Sequence, residues 1–292
     1  MQRHPESSSD RPAASKPFLK WSGGKGRLLP QLIPLLPSRR RLIEPFVGAG
    51  SVFLAADYDA YVLNDANADL VATWVALRER PREFIECASA FFSAEFHSKD
   101  AYLQVRAEFN QLEDRFERAV RLPYLNRFCF NGLYRVNRKG MFNVPYGKPT
   151  KLPKLPVDEM AAASARLQRC TILSGGYGAA LDLAGVGDVV YCDPPYLGSA
   201  QGESFTAYTE SGFGLAEHER LLEACTRAVS RGAHVLISNH DTPEVRALYR
   251  GWQLVEASAW RSMGSRAESR RVVREVVAIL PAPEHPALPR PS

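Results

Sequence analysis

The sequence predicts an α/β protein with a doubly wound sheet. Residues 41–46, the glycine turn 47–50 and the apolar stretch 51–56 have the strand–turn–helix order that opens such a sheet. A second apolar segment, 61–65, ends in an acid. A third, 189–192, is β-branched and aromatic and stops at two prolines, as expected of a buried strand that leads into a stiff loop.

Length and composition are those of an ordinary globular protein. The 292 residues suffice for one large domain or for a domain with an inserted lobe, and the net charge of +5 favours a polyanionic partner. Five scattered cysteines without a C-x-x-C pair argue against a disulfide framework and against zinc, so we expect no metal. No apolar segment reaches the length of a membrane span and no signal core is visible, so we expect a cytoplasmic protein without a membrane partner.

The remaining elements follow from apolar spacing. Residues 68–80 and 100–118 carry apolar side chains at helical spacing, with charges between them. Glycine and serine concentrate in 198–214, which makes this segment a candidate lid beside the 193–196 turn. We expect further helices at 157–168 and 215–230 and further strands at 170–173, 233–238, 252–260 and 272–280. A phosphate contact, or else an ordinary charged hairpin tip, is expected of Arg261, Arg266, Arg270 and Arg271.

The turn Asp193-Pro194-Pro195-Tyr196 has the groups needed to make an aromatic amine reactive. It follows a strand end, where ligands bind in an open α/β sheet. The lone pair of an amine such as N6 of adenine is delocalised into its ring. Asp193 and the Pro194 carbonyl can each accept one N–H hydrogen bond, which leaves that lone pair less conjugated, and the Tyr196 ring offers a face for the base. The purely structural alternative is a strand that ends in a proline turn capped by Asp193.

The glycine turn predicts a ligand that contains a ribose. Asp65 follows Gly48 by seventeen residues at the end of the next strand, where an acid can accept hydrogen bonds from a ribose diol. The turn contains Gly48-x-Gly50 but lacks the third small residue of the dinucleotide fingerprint, so S-adenosylmethionine (SAM) fits better than NAD. Upstream, Trp21 offers a ring face and Lys25 a cation, without the spacing of a phosphate loop.

Residues 121–157 predict contact with nucleic acid. The segment holds eight basic and six aromatic side chains and no Asp or Glu. Basic groups contact phosphates, aromatic wedges fill the gap left by an extruded base, and arginine can make two hydrogen bonds to a guanine edge. A merely solvated cationic face would normally include acids.

Several motifs, in this order along residues 17–280, resemble the Dam family (D12 class) of DNA adenine-N6 methyltransferases. They are KWSGGK at 20–25, EPFVGAG at 44–50, NRF at 126–128 with FNVP at 142–145, DPPY at 193–196 and SNHDT at 238–242. The resemblance implies a Rossmann-like, SAM-dependent methyltransferase fold in a bacterial or phage-encoded protein. It also implies methyl transfer from SAM to an adenine flipped out of double-stranded DNA, with GATC as the expected target.

The resemblance also implies domains. A mainly helical target-recognition lobe is expected to be inserted after the cofactor half of the sheet. The polar N-terminus is expected to be a disordered leader and the proline-rich C-terminus a loose tail. The expected limits are 1–16 for the leader, 17–66 and 158–280 for the SAM-binding catalytic domain, 67–157 for the inserted lobe and 281–292 for the tail.

Roles for individual residues follow from the same resemblance. The residues implied to contact SAM or line its pocket are Trp21, Lys25, Phe46, Gly48, Gly50, Asp65 and Asp193. Those implied to contact bases in GATC are Leu133, Arg135, Asn137 and Pro145. An aromatic wedge is implied for Phe130, where the family often has Tyr, and a contact to the flanking guanine for Lys20. The expected DNA contacts are completed by Asn126, Arg127, Asn131 and Lys148.

Two alternatives remain open at this point. Cytosine-N4 transfer uses the same amine chemistry, although Asp193 rather than a serine before Pro-Pro-Tyr favours adenine. A catalytically silent DNA-binding protein that responds to SAM would share most of the motifs. His240 is an alternative general base, although a histidine at a strand end is more often structural. We expect a monomer in solution, and oligomerisation on DNA stays open.

Overall fold

The structure is a computed structural model that describes residues 15–198, 213–262 and 270–281, without the side chains of 259–262 and 270–273. Most of the lid predicted over 198–214 therefore lies outside the described residues, because these leave out 199–212. The same holds for Arg266 and for most of the predicted leader and tail. Within the predicted leader, the backbone N–H of Ser15 donates to the carbonyl of Leu54 at 3.0 Å. The sheet domain thus contacts the chain from Ser15 onward.

Seven described strands form one twisted sheet, in the order β3-β2-β1-β4-β5-β7-β6. Neighbouring strands are parallel except at β7, which is antiparallel to both β5 and β6. The strands are β1 (Arg41–Glu44), β2 (Ala60–Asp65), β3 (Cys170–Ser174), β4 (Asp188–Cys192), β5 (His234–His240), β6 (Gln253–Ser262) and β7 (Arg270–Leu280). The predicted doubly wound sheet is confirmed, and β5 runs two residues beyond its predicted end.

The described α-helices are α1 (Leu29–Leu32), α2 (Ser51–Ala55), α3 (Ala68–Glu79), α4 (Pro81–Ala90), α5 (Lys99–Gln111), α6 (Arg115–Phe128), α7 (Val157–Leu167), α8 (Gly178–Asp182), α9 (Leu215–Ser230) and α10 (Pro243–Leu248). The prediction of one continuous helix over 100–118 is wrong, because α5 ends at Gln111 and α6 begins at Arg115 with Asp114 as its N-cap residue. The Asp114 side chain accepts the backbone N–H of Glu117 at 2.8 Å, which satisfies a donor that the first helical turn leaves free. None of the described helices has the length and apolarity that a membrane span requires.

The strands of the sheet bury side chains on both faces, as their apolar sequences predict. In β1, Leu42 belongs to one buried cluster and Ile43 to another, because successive strand residues point to opposite faces. Helices α3 and α7 cover the first face, and α8, α9 and α10 the second. Trp74 of α3 therefore shares a core with the sheet, although it lies in the predicted insertion. A third cluster, built on α5, α6 and residues 129–146, forms the core of the remaining lobe.

Candidate active site

The candidate site lies where the two central parallel strands end. β1 ends at Glu44 and leads to the glycine turn, while the neighbouring β4 ends at Cys192 and leads to Asp193. From this pair the chain winds outward in both directions, to β2 and β3 on one side and to β5 on the other. The crevice outside such a switch point is where open α/β sheets bind ligands.

Asp65 and the glycines shape the cofactor half of this crevice. Gly48 (φ 51°) and Gly50 (φ 71°) adopt left-handed backbone conformations that most side chains would strain. The Asp65 carboxylate accepts the backbone N–H groups of Gly48 and Asn67, each at 2.9 Å, and so fixes the turn. Burial raises the pKa of Asp65, and these N–H groups oppose the rise. Each carboxylate oxygen keeps a further lone pair that could accept a ribose hydroxyl.

Aromatic rings line two sides of the glycine turn. A Cβ on Gly48 would lie 3.2 Å from Cδ1 of Trp21, so Trp21 is in close contact with the turn. The ring of Phe46 contacts Tyr177 and Phe213, with centroid distances of 5.4 and 5.7 Å. The residues predicted to contact SAM at Trp21, Phe46 and Gly48 thus lie at or beside the glycine turn, and Trp21 and Phe46 offer ring faces there.

Asp193, the predicted catalytic acceptor, is partly buried beside Lys25. Its Oδ2 lies 2.7 Å from Nζ of Lys25, a lysine that is only 3% exposed and that also donates to the carbonyl of Gly23 at 2.8 Å. Its Oδ1 is buried and has no hydrogen-bond partner among the described residues. Burial raises the pKa of Asp193, the Lys25 ammonium opposes that rise, and the Glu275 carboxylate adds to it.

Tyr196 is held on several sides. It is 8% exposed, and its hydroxyl donates to Oε2 of Glu275 at 2.5 Å. The His240 ring meets it edge-on, with centroids 4.6 Å apart and planes at 77°, and the Lys25 ammonium lies 4.7 Å from its centroid. The side chain of Asn239 accepts the backbone N–H of Leu197 at 3.2 Å and so fixes the end of the turn. His240 therefore supports the Tyr196 ring, and its alternative assignment as a general base is not needed.

The residues predicted to contact DNA fall into two groups. The first group lies within residues 130–148, where Leu133 is half-buried and the other predicted residues are exposed. The exposed ones are Phe130, Asn131, Arg135, Asn137, Pro145 and Lys148. Backbone hydrogen bonds from Phe130 to Pro145 (2.9 Å) and from Asn143 to Arg135 (3.0 Å) bring them onto one surface. Lys20 is also exposed and lies beside this surface, because a Cβ on Gly132 would be 2.6 Å from its Cβ and Cδ atoms.

Asn126 and Arg127 have partners inside the protein. Asn126 is 2% exposed; it accepts the backbone N–H of Lys20 at 2.8 Å and donates to the carbonyls of Lys20 and Gly132 at 2.7 and 3.0 Å. Arg127 donates to the carbonyl of Phe18 at 2.7 Å, and burial lowers its pKa. Both side chains hold the N-terminal segment against the lobe, a role that the sequence does not reveal.

The sequence analysis also missed a network of contacts between Trp21, beside the glycine turn, and Tyr134, in the segment predicted to contact DNA. The Trp21 ring stacks on Tyr134 with centroids 5.5 Å apart, and the Tyr134 hydroxyl donates to Asp69 at 2.6 Å. Arg118 makes an ion pair with the same carboxylate at 2.7 Å. Glu275 was missed as well, although one acid before four apolar residues of a predicted strand is a signal that could have found it. The described residues contain no cluster of His, Cys, Asp and Glu suited to a metal ion.

Comparison with known proteins connects this geometry with a family. The sequence model of the D12 class N6 adenine-specific DNA methyltransferases matches residues 21–263. The DNA adenine methylase of Vibrio cholerae serotype O1 is 42% identical over 263 residues, which cover 90% of this chain and 95% of the relative. That of Escherichia coli K12 is 39% identical over 265 residues, which cover 91% and 95%. The DNA N-6-adenine-methyltransferase of Escherichia phage P1 is 41% identical over 275 residues, which cover 92% of this chain and 36% of that protein.

The match includes every element that builds the crevice, from Trp21 through the glycine turn and the recognition segment to Asp193 and β5. The predicted resemblance is thus confirmed, and neither cytosine-N4 transfer nor a silent regulator is favoured. The chain belongs to the D12 class N6 adenine-specific DNA methyltransferases.

Proposed function

We propose that this adenine-specific DNA methyltransferase takes its methyl group from SAM and acts on an adenine flipped out of duplex DNA in the sequence GATC. The observation that carries the proposal is the Asp193 carboxylate, whose Oδ2 is paired with Lys25 while the buried Oδ1 has no described partner. A buried acceptor without a donor is costly. An entering amine N–H removes that cost, so the site favours an amine as its substrate.

Asp193 and Pro194 would prepare the amine by accepting its two N–H groups. Asp193 acts in its ionised form, since only a carboxylate without a proton can accept on both oxygens. The backbone carbonyl of Pro194 is the second acceptor, and Pro195 stiffens the turn because its ring fixes φ. With both hydrogens held, the lone pair of N6 is less conjugated with the base, and orientation and electrostatics contribute most of the rate.

Tyr196 would provide the stacking surface for the base. The Lys25 ammonium lies over the Tyr196 ring, so an adenine that stacks on that face displaces Lys25. We assign Lys25 a second position, paired with the carboxylate of SAM, which it would take when the base stacks on Tyr196. The N6–H group would then donate to Oδ1 of Asp193, the atom without a described partner.

The residues around the glycine turn are suited to hold SAM, which supplies the methyl group and a good leaving group. Asp65 would accept from the ribose, and Trp21 and Phe46 would enclose the nucleoside on the two sides of the turn. Gly48 and Gly50 keep the turn free of side chains, and the 3.2 Å approach of Trp21 shows how little room a Cβ at residue 48 would have.

The exposed surface of residues 130–148, together with Lys20, would contact the DNA. Phe130 is 50% exposed, the most exposed ring in this segment, and is assigned as the wedge that fills the gap left by the flipped adenine. We assign base contacts to Leu133, Arg135, Asn137, Pro145 and Lys20, and the remaining contacts to Asn131 and Lys148. Asn126 and Arg127 are assigned to hold Lys20 and Phe18 rather than to contact DNA.

Analysis of the methylated product tests the proposal. The protein is incubated with SAM carrying a labelled methyl group and a duplex with one GATC site, and the DNA is digested to nucleosides for mass spectrometry. We expect label in N6-methyladenine from that site and none in a duplex whose site is changed at one base pair. Label in N4-methylcytosine, or equal labelling of both duplexes, would contradict the proposal.

Three further proposals concern the domains, the oligomeric state and the location of the protein. We propose that residues 67–157 are the insertion, of which α3 packs on the sheet while α5, α6 and residues 129–146 form the lobe, and that the protein is a cytoplasmic monomer in solution. Sedimentation without DNA checks the oligomeric state, and a species of about 32.4 kDa is expected. A stable dimer would overturn this part alone.

A further inference from the structure

A buried carboxylate contacts the turn at residues 193–196 and is not one of the groups assigned to bind the amine. Glu275 is 2% exposed and is placed near the middle of β7. The four residues that follow it, from Val276 to Ile279, are all buried and apolar. Because side chains alternate along a strand, Glu275 points to the same face as Val277 and Ile279, which belong to a buried apolar cluster. A charged group at such a position destabilises the fold unless its contacts compensate.

Glu275 makes a hydrogen bond with Tyr196. Oε2 of Glu275 accepts the Tyr196 hydroxyl at 2.5 Å, which is at the short end of the range for an O–H···O hydrogen bond. Glu275 is in register with His240 across the β5–β7 pair, and the His240 ring packs edge-on against Tyr196. Two neighbouring strands thus support the far end and one edge of the same ring.

We propose that Glu275 is a positioning residue that fixes the plane of the Tyr196 ring on which the target adenine stacks. The inference rests on the proposed function, in which Tyr196 is the stacking surface. Without the carboxylate, the ring can rotate about its two side-chain torsions and the hydroxyl loses a buried partner. The adenine would still leave the duplex, but N6 would be held less accurately against Asp193.

The expected effect is on the rate of methyl transfer and not on cofactor binding. A misplacement of reacting groups by about 1 Å can cost about 100-fold in rate. We therefore expect Glu275→Ala to lower kcat by about 10-fold to 100-fold while the Kd for SAM stays within about twofold of wild type. Glu275→Gln keeps a carbonyl acceptor for the Tyr196 hydroxyl and should recover most of the rate.

Fluorescence of 2-aminopurine at the target position measures the stacking directly. A flipped 2-aminopurine that stacks on Tyr196 is quenched, and one that is flipped without stacking is bright. We expect the Glu275→Ala complex to be brighter than wild type and the Glu275→Gln complex to resemble wild type. Glu256→Ala is the matched control, because Glu256 is an exposed carboxylate on the adjacent strand β6.

Tyr196→Phe removes the same hydrogen bond and keeps the ring. It should lower the rate as Glu275→Ala does, and the loss in the double variant should be smaller than the sum of the two single losses, because both changes remove this hydrogen bond. If Glu275→Ala does not fold, Tyr196→Phe alone still tests whether the hydrogen bond positions the ring. Wild-type kcat and wild-type quenching in Glu275→Ala or Tyr196→Phe would overturn the inference. If Tyr196→Ala also kept full activity, the proposed stacking on Tyr196 would fail as well.

Discussion

The catalytic turn and the recognition surface are fixed in opposite ways. At residues 193–197 contacts hold the side chains themselves: Lys25 pairs with Asp193, and Glu275 accepts the Tyr196 hydroxyl. Asn239 in addition accepts the backbone N–H of Leu197. At residues 130–148 backbone hydrogen bonds fix the chain, and the side chains predicted to contact bases are mostly exposed. Among these, Arg135 donates to Asn143 and Asn137 accepts two backbone N–H groups, but both side chains stay open to solvent. Chemistry on a poor nucleophile needs prepared geometry, whereas contact with DNA needs side chains that can adapt to it.

A connection between the two regions passes through the N-terminal segment. Asn126 binds the backbone of Lys20, and Tyr134 stacks on the next residue, Trp21, which in turn contacts Gly48. The exposed recognition surface is therefore attached to the cofactor turn by buried contacts. Changes in the catalytic turn should affect the rate, changes in the recognition surface should affect sequence choice, and changes in the connection should affect both.

The largest expected effect is that of Asp193→Ala. Removal of the acceptor should lower kcat by about 10³-fold or more, because the amine loses a charged group placed in a buried site. The Kd for SAM, measured by calorimetry, should stay measurable. Near-normal turnover in this variant would contradict the role of Asp193.

Arg135→Ala should change sequence choice with little effect on the rate at the cognate site under saturating DNA. We expect a loss of about 1–3 kcal/mol of discrimination at one base pair, measured as the ratio of kcat/KM for cognate and singly altered duplexes. Arg82→Ala, an exposed arginine on α4, is the control. An equal loss of affinity for all duplexes would instead make Arg135 a phosphate contact.

Asn126→Ala should affect both stability and recognition. It leaves the backbone groups of Lys20 and the carbonyl of Gly132 without their partner, which should lower the free energy of unfolding by about 1–3 kcal/mol. Discrimination at the base pair assigned to Lys20 should fall to the same extent as in Lys20→Ala. An unchanged unfolding midpoint together with weaker binding to every duplex would show that Asn126 contacts DNA instead.

The pH dependence of kcat/KM for DNA should move when Lys25 is changed. In the proposed mechanism Asp193 acts in its ionised form, so activity is lost as pH falls through its pKa, which burial has raised. The Lys25 ammonium lowers that pKa while it is paired with Asp193, before the base enters, so Lys25→Met should raise the pKa and shift the acidic limb of the kcat/KM profile to higher pH at saturating SAM. Lys99→Met, at an exposed lysine on α5, should leave the limb in place. A shift to lower pH in Lys25→Met would contradict the assignment.

The smallest expected effect is on stability, at Glu44. Burial raises the pKa of Glu44 well above the ordinary value of 4.5, and the nearby Asp193 carboxylate adds to the rise. An acid with a raised folded pKa stabilises the fold below its unfolded pKa, and this contribution falls as pH rises above it. The melting temperature of Glu44→Gln should therefore equal that of the wild type near pH 4.5 and lie a few degrees above it at pH 8. Equal midpoints at both pH values would mean that Glu44 is ionised in the fold.

The sequence predicts the parts of this molecule whose signals are local. The strand before Asp193, the acid that ends β2 and the glycine turn each leave a pattern within a few residues, and the structure brings them to one crevice. The hydrogen bond between Tyr196 and Glu275 joins residues 79 positions apart and depends on the register of β5 and β7, which no local pattern specifies. Asn126 lies in a segment rich in basic and aromatic residues. The composition of that segment does not reveal which of its side chains are buried, as Asn126 is, and which are exposed.

The distance from adenine N6 to the nearer carboxylate oxygen of Asp193, measured in a crystal structure with S-adenosylhomocysteine and a GATC duplex, would decide whether Asp193 binds the amine. We expect a flipped adenine on Tyr196 with this distance at about 2.7–3.2 Å and Lys25 moved away from Asp193. A bound adenine whose N6 contacts neither Asp193 nor the Pro194 carbonyl, with Lys25 still paired to Asp193, would contradict it.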